Sequence, residues 1–196
     1  MAMQLQEIHP ALVHYPLTLL PAALIADAIG NASDGTGGRA LREVGRWGMA
    51  LAAGSAALSA VFGLVAQEES NAEGEARDIL VTHRTLNVML VSAATGMAWW
   101  RWNRLRAEPG YLALGMGAIA ALGYSAYLGG KMVYEHGVGV APADAAARRS
   151  PELTAGMFGR AARAIGSDVA SGVRHVAQDT AGGALLPWLT HSDGAA

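Results

Sequence analysis

The stretch Ala11–Gly30 reads ALVHYPLTLLPAALIADAIG. It is an almost uniformly apolar run, and a helix needs about 20 such residues, at roughly 1.5 Å each, to cross the hydrocarbon core of a bilayer. Three more runs of this kind follow: Gly45–Gln67 (GRWGMALAAGSAALSAVFGLVAQ), Ile79–Trp100 (ILVTHRTLNVMLVSAATGMAWW) and Gly110–Val133 (GYLALGMGAIAALGYSAYLGGKMV). Helices of soluble domains present a polar stripe to water, and these runs have none wide enough. The sequence therefore predicts an all-α fold. A four-helix transmembrane domain occupies residues 1–140, with helices at about 11–30, 45–67, 79–100 and 110–133, and a polar C-terminal tail, 141–196, is partly helical or disordered.

Composition agrees. Of 196 residues 52% are hydrophobic and 15% charged, where a soluble domain carries about 25% charged residues. The net charge of −2 gives no basic surplus for nucleic acid. There is no cysteine, which excludes disulfides, thiolate metal centres, iron–sulfur ligation by cysteine and cysteine nucleophiles. MAMQLQEIHP at the N-terminus has no Lys or Arg, so the basic n-region of a cleaved signal peptide is missing and the first helix is expected to remain.

Short-loop basic residues set orientation. Arg39, Arg42 and Arg46 fall in the first loop, and Arg101, Arg104 and Arg106 in the third. The second loop has Glu68, Glu69, Glu73, Glu75 and Asp78 against Arg77. This predicts a bacterial inner-membrane protein with loops one and three in the cytoplasm and both termini outside. The tail arginines Arg148, Arg149, Arg160, Arg163 and Arg174 pull the other way, but a long terminal segment weighs less than a short loop. Trp47, Trp99, Trp100 and Trp102 fall at the expected cytoplasmic ends and read as an interfacial belt.

Gly48, Ala52, Ala56 and Ala60 recur at steps of four, with Ser55, Ser59 and Gly63 beside them, and Ala126 and Gly130 repeat the spacing in the fourth helix. Small-xxx-small ladders let membrane helices approach closely, within one chain or between copies in a homo-oligomer. Pro10 suits a first helical turn, so the first helix is expected to start there; Pro16 and Pro21 lie inside it and can bend it. In the tail Leu153, Met157, Ala161, Ile165, Val169, Val173 and Val176 recur at three or four. That is the pattern of an amphipathic helix on a membrane surface, opposed by the glycines at 156, 159, 166 and 172, which favour disorder.

Histidines are the residues that could carry chemistry. His175 and His191 lie in the tail and read as solvated. His9 and His14 open the first helix, His83 lies near the start of the third, and His136 follows the fourth. An up-down topology brings these four to the outer face. His14 and His83 come to similar depth, about 24–26 Å from the far helix ends at 1.5 Å per residue. One such histidine is ordinarily a hydrogen-bonded interfacial residue. Four together suggest a site, because ionisable groups at membrane depth are costly and tend to mark function. Arg84, Asn87, Glu68, Glu69 and Glu135 share the layer, and Arg84 could pair with one of those glutamates or with a haem propionate. The glycines of HGVGV after the fourth helix allow a turn over the bundle or simply stop it.

HPALVHYPLTLLP (9–21), THRTLN (82–87) and GGKMVYEHGVGV (129–140) together resemble a bacterial family of predicted membrane proteins, the domain-of-unknown-function family 2231. The resemblance covers about residues 5–141 with the motifs in order, and Tyr15 stands where members usually show Phe. It implies a four-helix membrane domain, in some members joined to a Rieske-type iron–sulfur domain. This chain has no cysteine for such a centre, so electron transfer is implied by analogy alone.

Three functions follow as expectations. The first is a redox protein that binds haem b, with His14 and His83 as axial ligands, Arg84 at a propionate, His9 and His136 at the solvent edge, and a redox partner protein. Histidines at one face only argue for a single haem. The second is a divalent transition-metal binding or transport protein using His9, His14, His83, His136, Glu68 and Glu69, since imidazole suits Zn, Cu, Ni and Fe. The third is a structural or partner-binding subunit in the lipid bilayer, without a cofactor, whose histidines only anchor the interface. Hydrolytic catalysis is not expected, because Ser55, Ser59 and Ser92 lie mid-helix with no histidine at matching depth.

Overall fold

A computed structural model describes residues 5–68, 70, 72–138 and 158–191. It contains seven helices among the described residues: α1 Leu5–Leu12, α2 His14–Ala32, α3 Gly35–Glu68, α4 Glu75–Trp102, α5 Pro109–Tyr134, α6 Phe158–Ala181 and α7 Pro187–His191. No strand occurs among them.

Three stretches are long and apolar enough to cross a membrane: Ile8–Ala32, Gly35–Glu68 and Pro109–Tyr134. The expected fourth, α4, is 28 residues long but is not among them. Its hydropathy is lowered by His83, Arg84 and Asn87, the residues that draw attention to it.

The helix boundaries depart from expectation at two places. The chain is already helical at Leu5, ahead of Pro10, and breaks at Val13 between α1 and α2. Pro16 accounts for the break: it has no N–H for the carbonyl of Leu12, and its ring crowds that carbonyl. The second place is the first loop. Only Ser33 and Asp34 separate α2 from α3. Ser33 is extended (φ −113°, ψ 140°) and Gly35 takes φ +70°, which glycine adopts without steric cost. The chain therefore reverses in two residues, and Arg39, Arg42 and Arg46 lie on a helix.

Other helix ends follow local chemistry. Glu75 and Asp78 occupy the first turn of α4, where carboxylates complement the helix dipole. Pro109 opens α5, a position at which its missing donor costs nothing. Gly137 (φ +63°) ends it, with the N–H groups of Gly137 and Val138 bonded to the carbonyls of Val133 and Met132 at 3.1 and 3.0 Å. The tail contains an ordered helix, α6, despite its glycines. It ends in a Schellman motif: Ala184 N–H donates to Asp179 O (2.8 Å), Gly183 N–H donates to Thr180 O (3.2 Å), and Gly183 takes φ +76°. The tail residues 139–157, with Leu153 and Met157 of the expected stripe, lie outside the described residues.

The chain divides into two compact units. The first holds the described residues within 1–11, 60–86 and 125–196, and so includes α6, α7, most of α1 and parts of α3, α4 and α5. The second comprises residues 12–59 and 87–124, with α2 and the remaining parts of α3, α4 and α5.

The core of the second unit is Leu20, Ala23, Leu24, Met49, Ala52, Leu90, Met97, Ala107, Tyr111 and Ala118, with Trp100 packed on it. Small residues allow the close approaches. A Cβ on Gly48 would lie 3.0 Å from that of Ala23, and one on Gly115 would strike the Leu24 side chain. Trp47, Trp99 and Trp102 are exposed, as an interfacial belt requires. Trp100 differs: it stacks edge-on against Tyr111 (6.3 Å between rings) and its Nε1–H donates to Glu108 (3.2 Å).

Candidate functional site: a histidine pair and two ionic clusters

His9, His83 and His136 belong to the first unit and His14 to the second. In the first unit His9 on α1 faces His83 on α4. Their ring centroids are 6.5 Å apart and the planes stand at 89°. Two glycines make space for them. A Cβ on Gly63 of α3 would lie 3.0 Å from His9 Cε1, and one on Gly129 of α5 would lie 3.4 Å from His83 Cε1. The small-residue pattern in α3 thus includes a position under an imidazole.

The tautomer of His83 follows from its partners. Nδ1 lies 2.9 Å from the carbonyl oxygen of Ser125 and 3.1 Å from its hydroxyl. A carbonyl can only accept, so Nδ1 carries the proton, and in a neutral imidazole the lone pair is then on Nε2. A backbone carbonyl holding the far ring N–H is the usual arrangement behind a ligating histidine. Ser125 is buried, with 1% exposure, so this contact is shielded from water.

His136 lies past the end of α5, half-buried, and its Nε2 is buried with no hydrogen-bond partner. His14 is exposed, and its carbonyl accepts from Thr18 Oγ1 (2.8 Å). Among the described residues no three His, Asp or Glu side chains gather as a metal-holding group. Glu69 lies outside the described residues. Glu68 is engaged elsewhere: its Oε1 is 2.9 Å from Nδ1 of His175. His175 is half-exposed and bonded, where the sequence suggested an ordinary solvated residue.

Arg84 also has a partner that spacing did not suggest. Its guanidinium is paired with Asp179 of α6 and donates to Gln67 Oε1 (3.0 Å). Asp179 further takes Arg77 (3.6 Å). Lys131 pairs with Glu135 and stands 5.0 Å above the Trp188 ring.

A second cluster lies in the second unit, and sequence reading missed it. Asp27, Arg101 and Tyr111 are buried, at 0, 1 and 1% exposure. Arg101 Nε–H reaches both carboxylate oxygens of Asp27 at 2.9 Å, Nη2–H donates to Oδ1 at 2.8 Å, and Tyr111 O–H donates to Oδ2 at 3.2 Å. The remaining Arg101 donors take the carbonyls of Arg104 (2.7 Å) and Arg42 (2.8 Å). Gly45 lies against the Asp27 carboxylate, where a Cβ would clash. Arg42 is itself buried and donates to the carbonyl of Gly30. Two of the six arginines that read as loop charge are therefore internal. The available signal was Asp27, an acid inside an apolar run.

One family matches, described as predicted membrane protein (DUF2231), over residues 6–142. No curated protein and no solved structure matches the chain.

Proposed function

The chain belongs to the predicted membrane protein family DUF2231, and we propose that it is a four-span protein of the bacterial inner membrane that binds one haem through His9 and His83 and passes electrons to a partner protein. The observation that carries this reading is the imidazole pair. Two imidazoles on opposite sides of one ion, each with a nitrogen about 2 Å away, have ring centres roughly 6.4 Å apart. The pair here is at 6.5 Å, and His83 has its Nδ1–H held by Ser125, which turns Nε2 to the ligand role.

Haem is favoured over a bare divalent ion by ligand count. A protein site for such an ion ordinarily supplies three or four side chains, and the described residues gather no group of three. Haem would bring ring donors of its own, so His9 and His83 would suffice to hold it. His9 takes the place that depth arithmetic gave to His14, because it is His9 whose ring faces His83. His9 and His83 would hold the group, which would supply electron transfer, with its potential tuned by hydrogen bonds to the two imidazoles. Arg84, engaged with Asp179, acts here on the fold.

Counting α4 as a span rests on its length, about 42 Å at 1.5 Å per residue, and on the location of His83, Arg84 and Asn87 in its first half. Orientation rests on Arg39, Arg46, Arg104 and Arg106 against the acidic second loop.

The test is the visible spectrum of the detergent-purified chain from haem-replete cells, oxidised and reduced. A Soret band with low-spin features, lost or converted in H9A and in H83A, is expected. A colourless wild-type protein overturns the haem reading.

A further inference from the structure

The C-terminal segment holds the residue on each side of His83. Thr82, which is fully buried, accepts the backbone N–H of Trp188 on its hydroxyl (3.1 Å). Arg84, 8% exposed, is paired with Asp179. Further contacts tie the same segment to α3 and α5. His175 meets Glu68 at 2.9 Å, Gly172 packs so closely on Leu64 that a Cβ would lie 2.9 Å from that side chain, and the Trp188 ring lies under Lys131.

These contacts differ in kind from a permanent core. Asp179 and His175 keep 17 and 49% of their side-chain exposure. Among the described side chains of α6 only Ala161 and Gly172 are buried, Ile165, Val169 and Val176 are half-buried, and Val173 is 55% exposed. Burial of apolar area is what makes docking permanent, at about 25 cal/mol per Å², and the larger apolar side chains described on α6 are covered only in part. A few polar points do the fastening.

We propose that α6 and α7 form a strap that fixes the Thr82–His83–Arg84 turn of α4 and limits access to His83. The fastening is Asp179 on Arg84 and Trp188 N–H on Thr82. Opening it exposes His83 to solvent or to a partner while the second unit stays folded. The strap does not depend on what His83 binds.

The test uses the full chain in detergent, purified from haem-deficient cells so that Nε2 of His83 carries no ligand, and diethyl pyrocarbonate, which carbethoxylates accessible imidazole nitrogen. The rate at each histidine is read by peptide mass spectrometry, with His14 of the second unit as internal reference. D179A should raise the rate at His83 about tenfold, a change of about 1.4 kcal/mol in the opening equilibrium. D179E, which keeps the charge, should stay near wild type. R174A should change nothing, since Arg174 bonds only within α6, to Ser171 Oγ (2.9 Å) and Ala170 O (3.4 Å). T82V removes a single acceptor and should raise the His83 rate a few-fold with His14 unchanged. If D179A also loses helical signal in far-UV circular dichroism, global unfolding is responsible, and T82V then decides. An unchanged His83 rate in T82V and D179A, or a D179E rate equal to that of D179A, overturns the strap. A colourless wild-type protein would remove the haem and leave this result as it stands.

Discussion

Replacing Asp27 with Ala should be among the most damaging single changes in this chain, although no local pattern surrounds that residue. Asp27 and Arg101 are 0 and 1% exposed. The carboxylate accepts three close Arg101 N–H contacts, at 2.8 to 2.9 Å, and one from Tyr111 at 3.2 Å. Removing it leaves a guanidinium charge buried, with only the carbonyls of Arg42 and Arg104 to receive it. Breaking a buried pair by deleting one partner costs about 3–5 kcal/mol. Tyr111→Phe deletes one neutral donor to the same carboxylate and should cost about 1.5–3 kcal/mol, in the range for hydrogen bonds to charged groups. Changing both ion-pair partners, Asp27→Leu with Arg101→Met, leaves no orphan charge and should be milder than D27A alone. Reversible unfolding of the purified protein in mixed detergent and dodecyl sulfate, followed by far-UV circular dichroism, measures all three. At about 1.4 kcal/mol per decade, D27A should shift the folded-to-unfolded ratio by a factor of roughly 10² to 10³ or more. A D27A protein within about 1 kcal/mol of wild type, or one no weaker than Y111F, would show that the cluster is not closed to water and would refute the argument.

His14→Ala should leave a haem spectrum intact while H9A and H83A remove or convert it; loss of the spectrum in H14A with retention in H9A would return the axial role to His14. Gly63→Ala and Gly129→Ala should part in sign. At Gly63 the new methyl meets His9 at 3.0 Å and forces the ring aside, whereas at Gly129 it meets His83 at an ordinary 3.4 Å. The overpacked site should lose about 1–3 kcal/mol, and the other should gain up to about 1 kcal/mol from helix propensity, both read by the same unfolding assay. A phosphatase reporter fused after Ala196 should be active, placing that end in the periplasm, and activity of a cytoplasmic reporter there instead would invert the proposed orientation.

The fold was legible where the determining chemistry is local, and the site was legible only in part. Apolar runs mark helices because each residue's environment follows from its neighbours at three and four, and all four expected segments are helical. The histidines could be assigned to helix ends for the same reason. Which histidine meets which could not, since His9 and His14 differ by five positions and a break at Val13 separates them. Depth arithmetic along one straight helix has no term for the proline that interrupts it. The polar pairs were further out of reach. Asp27 finds Arg101 across 74 positions and Arg84 finds Asp179 across 95. Such pairing is fixed by packing, because a buried charge takes whatever opposite charge the helices bring to it. Arg101 illustrates the consequence. As a residue at a helix end it counted toward orientation, yet its charge is cancelled by Asp27 inside the fold. The topogenic case for the same end is therefore made by Arg104 and Arg106, both exposed, together with Arg39 and Arg46. Substituting Arg104 and Arg106 should weaken orientation, and substituting Arg101 should weaken stability, so two effects that look like one basic loop in the sequence are physically separate.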